Sequence, residues 1–470
     1  MPKPAVKEFE PYWETSDRTT ARLWLGDAAG VLRQLPARSV HCCITSPPYW
    51  GLRDYGVAGQ LGAESTPEGY VAKMVEVFRE VRRVLRDDGT LWLNLGDSYS
   101  GGGGYSPNSP SNVNGSKQSS NRGSKIGVSP PLPSGNLVGI PWRVAFALQA
   151  DGWVLRQDII WHKPSAMPES VKNRCTKEHE YVFLLAKRGG YYYDAEAVKE
   201  TQKSAYSSDS FLPDSSKDQN GDQRMAAVGV SRANGSPDLI VSGANKRSVW
   251  SVTSAAYSGA HFATFPPKLI EPMILAGTSE RGCCSRCGAP WRRVTEWCPR
   301  ISSSRPQVRR ANEIAIRYGL TPAHFNAIRA VGSTDVGKSK VTQGGAGKNR
   351  KDVQKLAEEA KKVLGGYYRE FVTGEEHTLS WEPTCSCNAL TIPCTVIDPF
   401  AGSGTTPATA IKLGRRGWGI DLSEVYLRDH AARRIMRAVS VKCKVAHLTG
   451  AGRGEEARTM PPVLAKKVEW

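Results

Sequence analysis

Apolar and polar positions repeat with two different periods along this chain, and the changes of period mark its elements. Arg22-Leu23-Trp24-Leu25 is a short apolar run that stops at Gly26-Asp27 and reads as a strand. A helix over about 28–35 follows, then Pro36, then the buried run Val40-His41-Cys42-Cys43-Ile44. From Tyr70 to Leu85 the period lengthens. Val71, Met74, Val75, Phe78, Val81, Val84 and Leu85 recur at three- and four-residue spacing, while Arg79, Arg82, Arg83 and Arg86 take other faces. That is the stripe of an amphipathic helix. Asp87-Asp88-Gly89 is expected to end it, and Thr90 to Leu95 to form the next strand. A helix opening at Pro141, strands over 154–161 and 181–186, a short strand over 249–252 and a helix over 269–276 continue the alternation. It closes with a strand from Cys394 to Asp398, a glycine turn, a helix, and the strand Gly417-Trp418-Gly419-Ile420 ending in Asp421. Strands alternating with helices predict an α/β fold.

The pattern lapses in four places. Residues 97–135 and 201–247 are rich in Ser, Gly, Asn, Asp and Pro, without core-forming residues, and read as long mobile loops. Residues 281–390 look like an insertion with chemistry of its own, and the basic tail over 441–470 carries no periodicity. The expected organisation is therefore a main domain over 20–280 completed by 391–440, with the insertion between.

Composition narrows the partners. Across 470 residues, Lys and Arg number 63 against 45 Asp and Glu, a net charge of +18, with a pI near 9.4. Such an excess suits a polyanion, of which nucleic acid is the usual one. No apolar run is long enough for a bilayer span, and the first residues lack the apolar core of a signal peptide. A cytoplasmic location without membrane contact is expected. Eleven cysteines in such a chain argue for reduced thiols or bound metal rather than a disulfide framework.

Two corners carry candidate chemistry. In Thr45-Ser46-Pro47-Pro48-Tyr49-Trp50, two prolines can extend neither strand nor helix. The chain must leave the sheet as a stiff loop that offers a hydroxyl, a free carbonyl and a stacking ring. In Val396-Ile397-Asp398-Pro399-Phe400-Ala401-Gly402-Ser403-Gly404-Thr405-Thr406, two glycines allow a tight turn and close approach of a ligand to the backbone. Asp421 follows at the end of the next strand, where a carboxylate can hold ribose hydroxyls. The spacing is neither the dinucleotide G-x-G-x-x-G nor a Walker loop.

Together these corners resemble those of the S-adenosylmethionine-dependent amino-methyltransferases of DNA. The catalytic loop comes first and the cofactor loop last, as in the circularly permuted β class. The resemblance covers about 20–200, 249–280 and 390–440. It implies a Rossmann-like methyltransferase sheet, circularly permuted, to which the residues between its parts are expected to add a zinc-ribbon and helical insertion. It implies S-adenosylmethionine contacts from Asp398, Pro399, Phe400, Gly402, Gly404, Thr405 and Asp421, and from Asp27 at the adenine end. Phe265 and Lys268 match the stretch before the helix that leads to the cofactor loop. Asp27 could equally cap a helix, and Lys268 could be a solvated lysine. By the same resemblance Ser46 and Pro47 would draw the target amine out of plane, with Pro48 stiffening the loop and Tyr49 stacking on a base flipped from double-stranded DNA. Ser-Pro-Pro-Tyr leans toward cytosine N4, with adenine N6 the alternative. A carbon-5 mechanism would need a Pro-Cys nucleophile loop, but Pro393-Cys394 directly precedes the cofactor strand and reads as a buried thiol.

Cys284-x-x-Cys287 and Cys385-x-Cys387 are two close pairs about a hundred residues apart, a donor set that suits a structural Zn2+. Four reduced loop cysteines are the alternative. Between the pairs, residues 281–390 hold 19 Lys/Arg against 10 Asp/Glu, with short helices over 311–318, 321–330 and 353–364. This suggests a target-recognition insert of helix-turn-helix type. The functional expectation is a site-specific DNA methyltransferase, with room for a cognate restriction nuclease as partner. The rival is a non-catalytic zinc-containing DNA-binding regulator.

Overall fold

The computed structural model describes residues 9–17, 19–51, 59–100, 132–166, 168–169, 171–200, 245–254, 264–299, 306–331, 351–371 and 374–448. The loops expected at 97–135 and 201–247 and the tail expected from 441 lie largely outside these residues.

The strands before residue 252 are β1 (Trp13–Glu14), β2 (Ala21–Leu25), β3 (Val40–Thr45), β4 (Leu85–Leu95), β5 (Val154–His162), β6 (His179–Ala186) and β7 (Val249–Ser251). Next come β8 (Cys283–Cys284), β9 (Trp291–Pro299), β10 (Gly374–Pro383) and β11 (Thr391–Ile392), which form two small pairs, β8 with β11 and β9 with β10. The last are β12 (Thr395–Asp398) and β13 (Arg416–Asp421). The main sheet has nine strands in the order β1-β2-β13-β12-β3-β4-β6-β5-β7. From β2 to β4 every neighbouring pair is parallel, and β6 runs against both β4 and β5.

Helices cover both faces because side chains alternate along each strand. Cys43 and Ile397 point into a cluster shared with α1 (Ala28–Gln34), α2 (Pro67–Val84) and α3 (Ile140–Ala150). Cys42, Ile44 and Val396 point the other way, to α4 (Pro267–Gly277). The helices α5 (Pro306–Arg317), α6 (Pro322–Val331) and α7 (Lys351–Leu364) belong to the insertion. The last described helices, α8 (Thr405–Lys412) and α9 (Arg433–Leu448), pack with Ala21 and Leu23 of β2.

One local expectation fails. Asp87-Asp88-Gly89 does not end a helix in a turn, because β4 already begins at Leu85. The register between β3 and β4 shifts between Val40 and Cys42, and Asp87 anchors the irregularity through Lys187 at 3.1 Å and Arg38 at 3.3 Å. The helix also starts earlier, at Pro67, because Thr66 caps it by accepting from Gly69 N–H.

The chain divides into two compact units. The first holds 1–198, 247–292 and 381–470, and the second holds 199–246 and 293–380. These borders differ from 281 and 390, and they leave both cysteine pairs in the first unit. The second unit is organised around Ala311, Ala315, Ile328, Ala360 and Leu364, with Phe325 stacked on Phe371 at 4.6 Å. No described helix is long and apolar enough to cross a membrane.

Candidate active site

Four parallel neighbours, β2, β13, β12 and β3, end at the same edge of the sheet. Their carboxyl ends place Asp27, Asp421, Asp398 and Ser46 along one rim. The helices leaving this rim diverge, since α8 follows β12 on one face and α2 follows β3 on the other. Such a divergence opens the crevice where ligands bind α/β sheets. Because β12 pairs directly with β3 and the Thr45 hydroxyl reaches Asp398 at 2.6 Å, the two corners that lie far apart in sequence meet here.

The late corner is held by carboxylates that accept from the chain. Asp421 Oδ2 accepts Gly402 N–H at 2.7 Å and Oδ1 accepts Ser423 N–H at 2.8 Å. Asp398 is 1% exposed. Its Oδ1 accepts from the Thr45 hydroxyl at 2.6 Å and Phe400 N–H at 3.0 Å, and its Oδ2 from the Thr406 hydroxyl at 2.8 Å. Asp398 therefore ties the two corners together from beneath. Burial pushes its carboxyl up to about 6, against those hydrogen bonds. Burial also raises Asp421. Gly404 sits at φ +74°, and a Cβ there would lie 2.8 Å from Ala431 Cα. Above Gly402 a Cβ would meet nothing within 4 Å, which leaves the backbone open to a ligand. Arg434 of α9 donates to Ser403 Oγ at 3.1 Å and to Thr405 Oγ1 at 2.6 Å, bracing the turn from outside.

The early corner is held by its flanks. Tyr70 donates to the Pro48 carbonyl at 2.8 Å, and Trp50 Nε1 to the Glu64 carbonyl at 2.8 Å. Pro47 O accepts no hydrogen bond from a described residue. Tyr49 OH lies 2.8 Å from Glu180 Oε2 and 3.2 Å from Asn94 Oδ1, while Ser46 Oγ lies 3.3 Å from it. Glu180 also pairs with Lys163 and accepts from Asn94 Nδ2 at 3.2 Å. Burial and the neighbouring Glu180 carboxylate keep the Tyr49 phenol protonated, well above its ordinary range. Gly96 makes room for the ring, since a Cβ there would lie 2.5 Å from Tyr49 Cε2.

The other expected residues divide. Asp27 is the N-cap of α1 and accepts Gly30 N–H at 2.8 Å. It stands at the rim beside Asp421, whose carbonyl accepts Gly26 N–H at 3.0 Å. Pro399 and Thr405 stand within the late corner. Phe265 packs with the α4-side cluster, not with the Tyr49 and Phe400 cluster, and Lys268 is exposed. Neither joins the Asp398 or Asp421 networks among the described residues. Glu180, Asn94, Gly96 and Arg434 were not anticipated. The one available signal was an acidic residue opening an apolar strand in His179-Glu180-Tyr181-Val182. Because β6 is antiparallel, its start faces the rim where its neighbours end.

The sulfur atoms of Cys284, Cys287, Cys385 and Cys387 lie within 4.8 Å of one another. Tetrahedral Zn–S bonds of about 2.3 Å would put sulfurs about 3.8 Å apart, so the set fits such an ion. The knuckle sits against the opposite end of the sheet from Ser46. His41, near the start of β3, donates through Nε2 to Gly288 O at 2.9 Å, and Arg86 donates to Cys287 O at 2.6 Å. A second group, His41, Cys283 and Cys394, is also close. His41 already accepts Thr395 N–H at Nδ1, so both ring nitrogens are taken.

The profile of the DNA methylase family, N6 and N4 class, matches residues 40–284 and 394–433, which span both corners and more than half of the chain. The chain belongs to this family. It is an S-adenosylmethionine-dependent DNA methyltransferase. Type II methyltransferase M.Cfr9I of Citrobacter freundii is 46% identical over 263 residues, which cover 55% of this chain and 73% of that protein. Type II methyltransferase M.SmaI of Serratia marcescens is 41% identical over 271 residues, 57% and 78% of the two chains. A solved structure of PvuII DNA methyltransferase, described as cytosine-N4-specific, overlaps 93% of this chain and 95% of its own at TM-score 0.44 and 14% identity. An overlap that loose adds nothing to the sequence match.

Proposed function

We propose that the methylase transfers a methyl group to N4 of cytosine at a specific site in double-stranded DNA, ahead of N6 of adenine, as the modifying member of a restriction-modification pair. The observation that carries this is the rim itself. Ser46 stands at one parallel strand end and the Gly402 turn at the next, with Asp398 bridging them through Thr45 at 2.6 Å. In this reading the sheet is circularly permuted, catalytic corner before cofactor corner.

S-adenosylmethionine, when bound, supplies an electrophilic methyl group. The open backbone at Gly402, with Asp421 fixing its N–H, fits the methionine and ribose side, and Asp27 the adenine side. An exocyclic base amine is a weak nucleophile, because its lone pair is delocalised into the ring. Two acceptors, Ser46 Oγ and Pro47 O, would draw its N–H bonds out of plane and return the pair to nitrogen. Tyr49 offers a face for the flipped base, worth roughly 1–3 kcal/mol of stacking against the cost of unstacking. Loop rigidity from Tyr70 and Trp50 supplies positioning. A neutral hydroxyl at position 46, by family resemblance, favours cytosine. Tritiated methyl transfer to duplex DNA by wild type and Ser46→Ala, followed by nucleoside mass spectrometry, tests both activity and base. Methyl on adenine would refute the base assignment. Family membership with both corners intact sets aside the binding-only regulator.

Zinc in the four-cysteine knuckle would be structural, since its contacts reach the sheet end remote from Ser46. Metal analysis should find one zinc per chain, and chelation should lower the melting temperature before it lowers the rate constant of the remaining folded protein. The insertion between the cysteine pairs is assigned to target recognition. Its support is the α5–α6 pair, joined through Gly319 at φ +66°, and the exposed Arg309, Arg310 and Arg317. Removal of 300–380 should flatten the salt dependence of DNA binding.

A further inference from the structure

We infer that Glu180 is a positioning residue that fixes the direction of a hydroxyl chain, Ser46 to Tyr49 to Glu180, and receives the proton released by methyl transfer. The inference rests on the amine-methylating function proposed above. Tyr49 has a single hydroxyl proton and two acceptors within reach, Glu180 Oε2 at 2.8 Å and Asn94 Oδ1 at 3.2 Å. The shorter contact to a carboxylate is the stronger one, so the phenol donates to Glu180. Its oxygen is then an acceptor, and the hydroxyl of Ser46 donates to it at 3.3 Å. That leaves both lone pairs of Ser46 facing away from Tyr49, available to an amine. A serine whose proton pointed at the substrate would repel the amine hydrogens instead.

The carboxylate at the end of this chain is itself held. Lys163 pairs with Glu180 and lies over the Trp161 ring at 4.3 Å. Asn94 donates to Glu180 Oε2 at 3.2 Å and to Tyr181 O at 3.0 Å. The charge is therefore fixed in place, with only a sixth of the Glu180 side chain exposed. Hydrogen bonds that run in one direction polarise each other, which strengthens Ser46 as an acceptor. The same path balances the reaction. The amine pair forms the new N–C bond, the S–C pair stays on sulfur, and the nitrogen is left with one proton too many. That proton passes to Ser46 Oγ as the serine proton passes to Tyr49 and the tyrosine proton to Glu180. Serine and tyrosine end as they began, and Glu180, neutralised by the proton it has taken, holds it until solvent removes it and restores the carboxylate.

The test measures single-turnover methylation of plasmid DNA by the full-length chain. Glu180→Gln and Tyr49→Phe should each lower the rate by about two orders of magnitude, at the lower end of general acid–base effects. The double variant should lose no more than either single one, because both break one chain. Melting temperature and affinity for DNA should stay near wild type, since the Tyr49 ring remains in place. Where Glu180→Gln alone melts early because Lys163 has lost its partner, Glu180→Gln with Lys163→Met replaces it. A wild-type rate in Glu180→Gln, or losses that multiply in the double variant, overturns the relay and leaves the methylation reading standing. Absence of any methylated amine with wild type overturns that reading and the relay with it.

Discussion

The two corners of the rim solve opposite problems. At the late corner the protein spends its acceptors inward, with Asp421 and Asp398 taking backbone and threonine donors. At the early corner Ser46 and Tyr49 give their protons inward, toward Glu180. The first arrangement fixes the shape of a backbone cradle. The second leaves oxygen lone pairs free at the surface. A cofactor site needs a fixed shape, whereas an amine about to react needs acceptors, and the difference lies in which way the protons point.

This comparison breaks most sharply at Ser46. Ser46→Ala should cost about three orders of magnitude in single-turnover rate, on the scale of losing one transition-state hydrogen bond, with cofactor affinity by calorimetry unchanged. Equal losses in rate and cofactor affinity would mean that the corners do not divide the work. Gly404→Ala should destabilise the folded protein by about 3 kcal/mol in urea melts, from a left-handed backbone and contact with Ala431. Asp421→Asn should raise the cofactor dissociation constant by roughly tenfold or more and leave the saturated rate nearly unchanged. Its amide NH2 would confront a backbone N–H that the carboxylate now accepts. Asp398→Asn should alter only the pH dependence of stability, with no effect on the pH-independent part. The Asp398 carboxyl is raised from 3.8 to about 6. Its neutral form is therefore favoured by folding, and that contribution is complete below pH 4 and lost as pH rises through 6. Wild type should lose up to about 3 kcal/mol across this window from this group, at about 1.4 kcal/mol per unit. The Asn variant should not, because Thr406 can turn its hydroxyl to Ile44 O, at 3.3 Å, and accept from the amide.

Sequence pattern located the late corner well, because backbone motifs need particular residue types at fixed spacing. Glycine, Asp398 and Asp421 all fall where spacing places them. The support of Tyr49 was not legible. Glu180 and Asn94 lie 131 and 45 residues from it in sequence, and only the antiparallel run of β6 brings the former to the rim. Phe265 packs on the α4 side of the sheet, a placement that its match in sequence does not reveal. The start of β4 was misread because a register shift lets two aspartates and a glycine sit within a strand. In the insertion, helix periodicity was enough to find α5, α6 and α7, but the border of the compact unit was not, because the cysteine knuckle belongs to the sheet.

The position of β12 and β13 has a consequence for biogenesis. They fill the gap between β2 and β3, yet they are made some 350 residues after β3, as the separation of 353 between Thr45 and Asp398 shows. At about 5–20 residues per second, β2 and β3 wait roughly 20–70 s on the ribosome with unsatisfied edges. Pairing at such long range is also slow to nucleate. Yield in cells should therefore depend on whatever shields nascent apolar strands during that interval, more than on the stability of the finished enzyme.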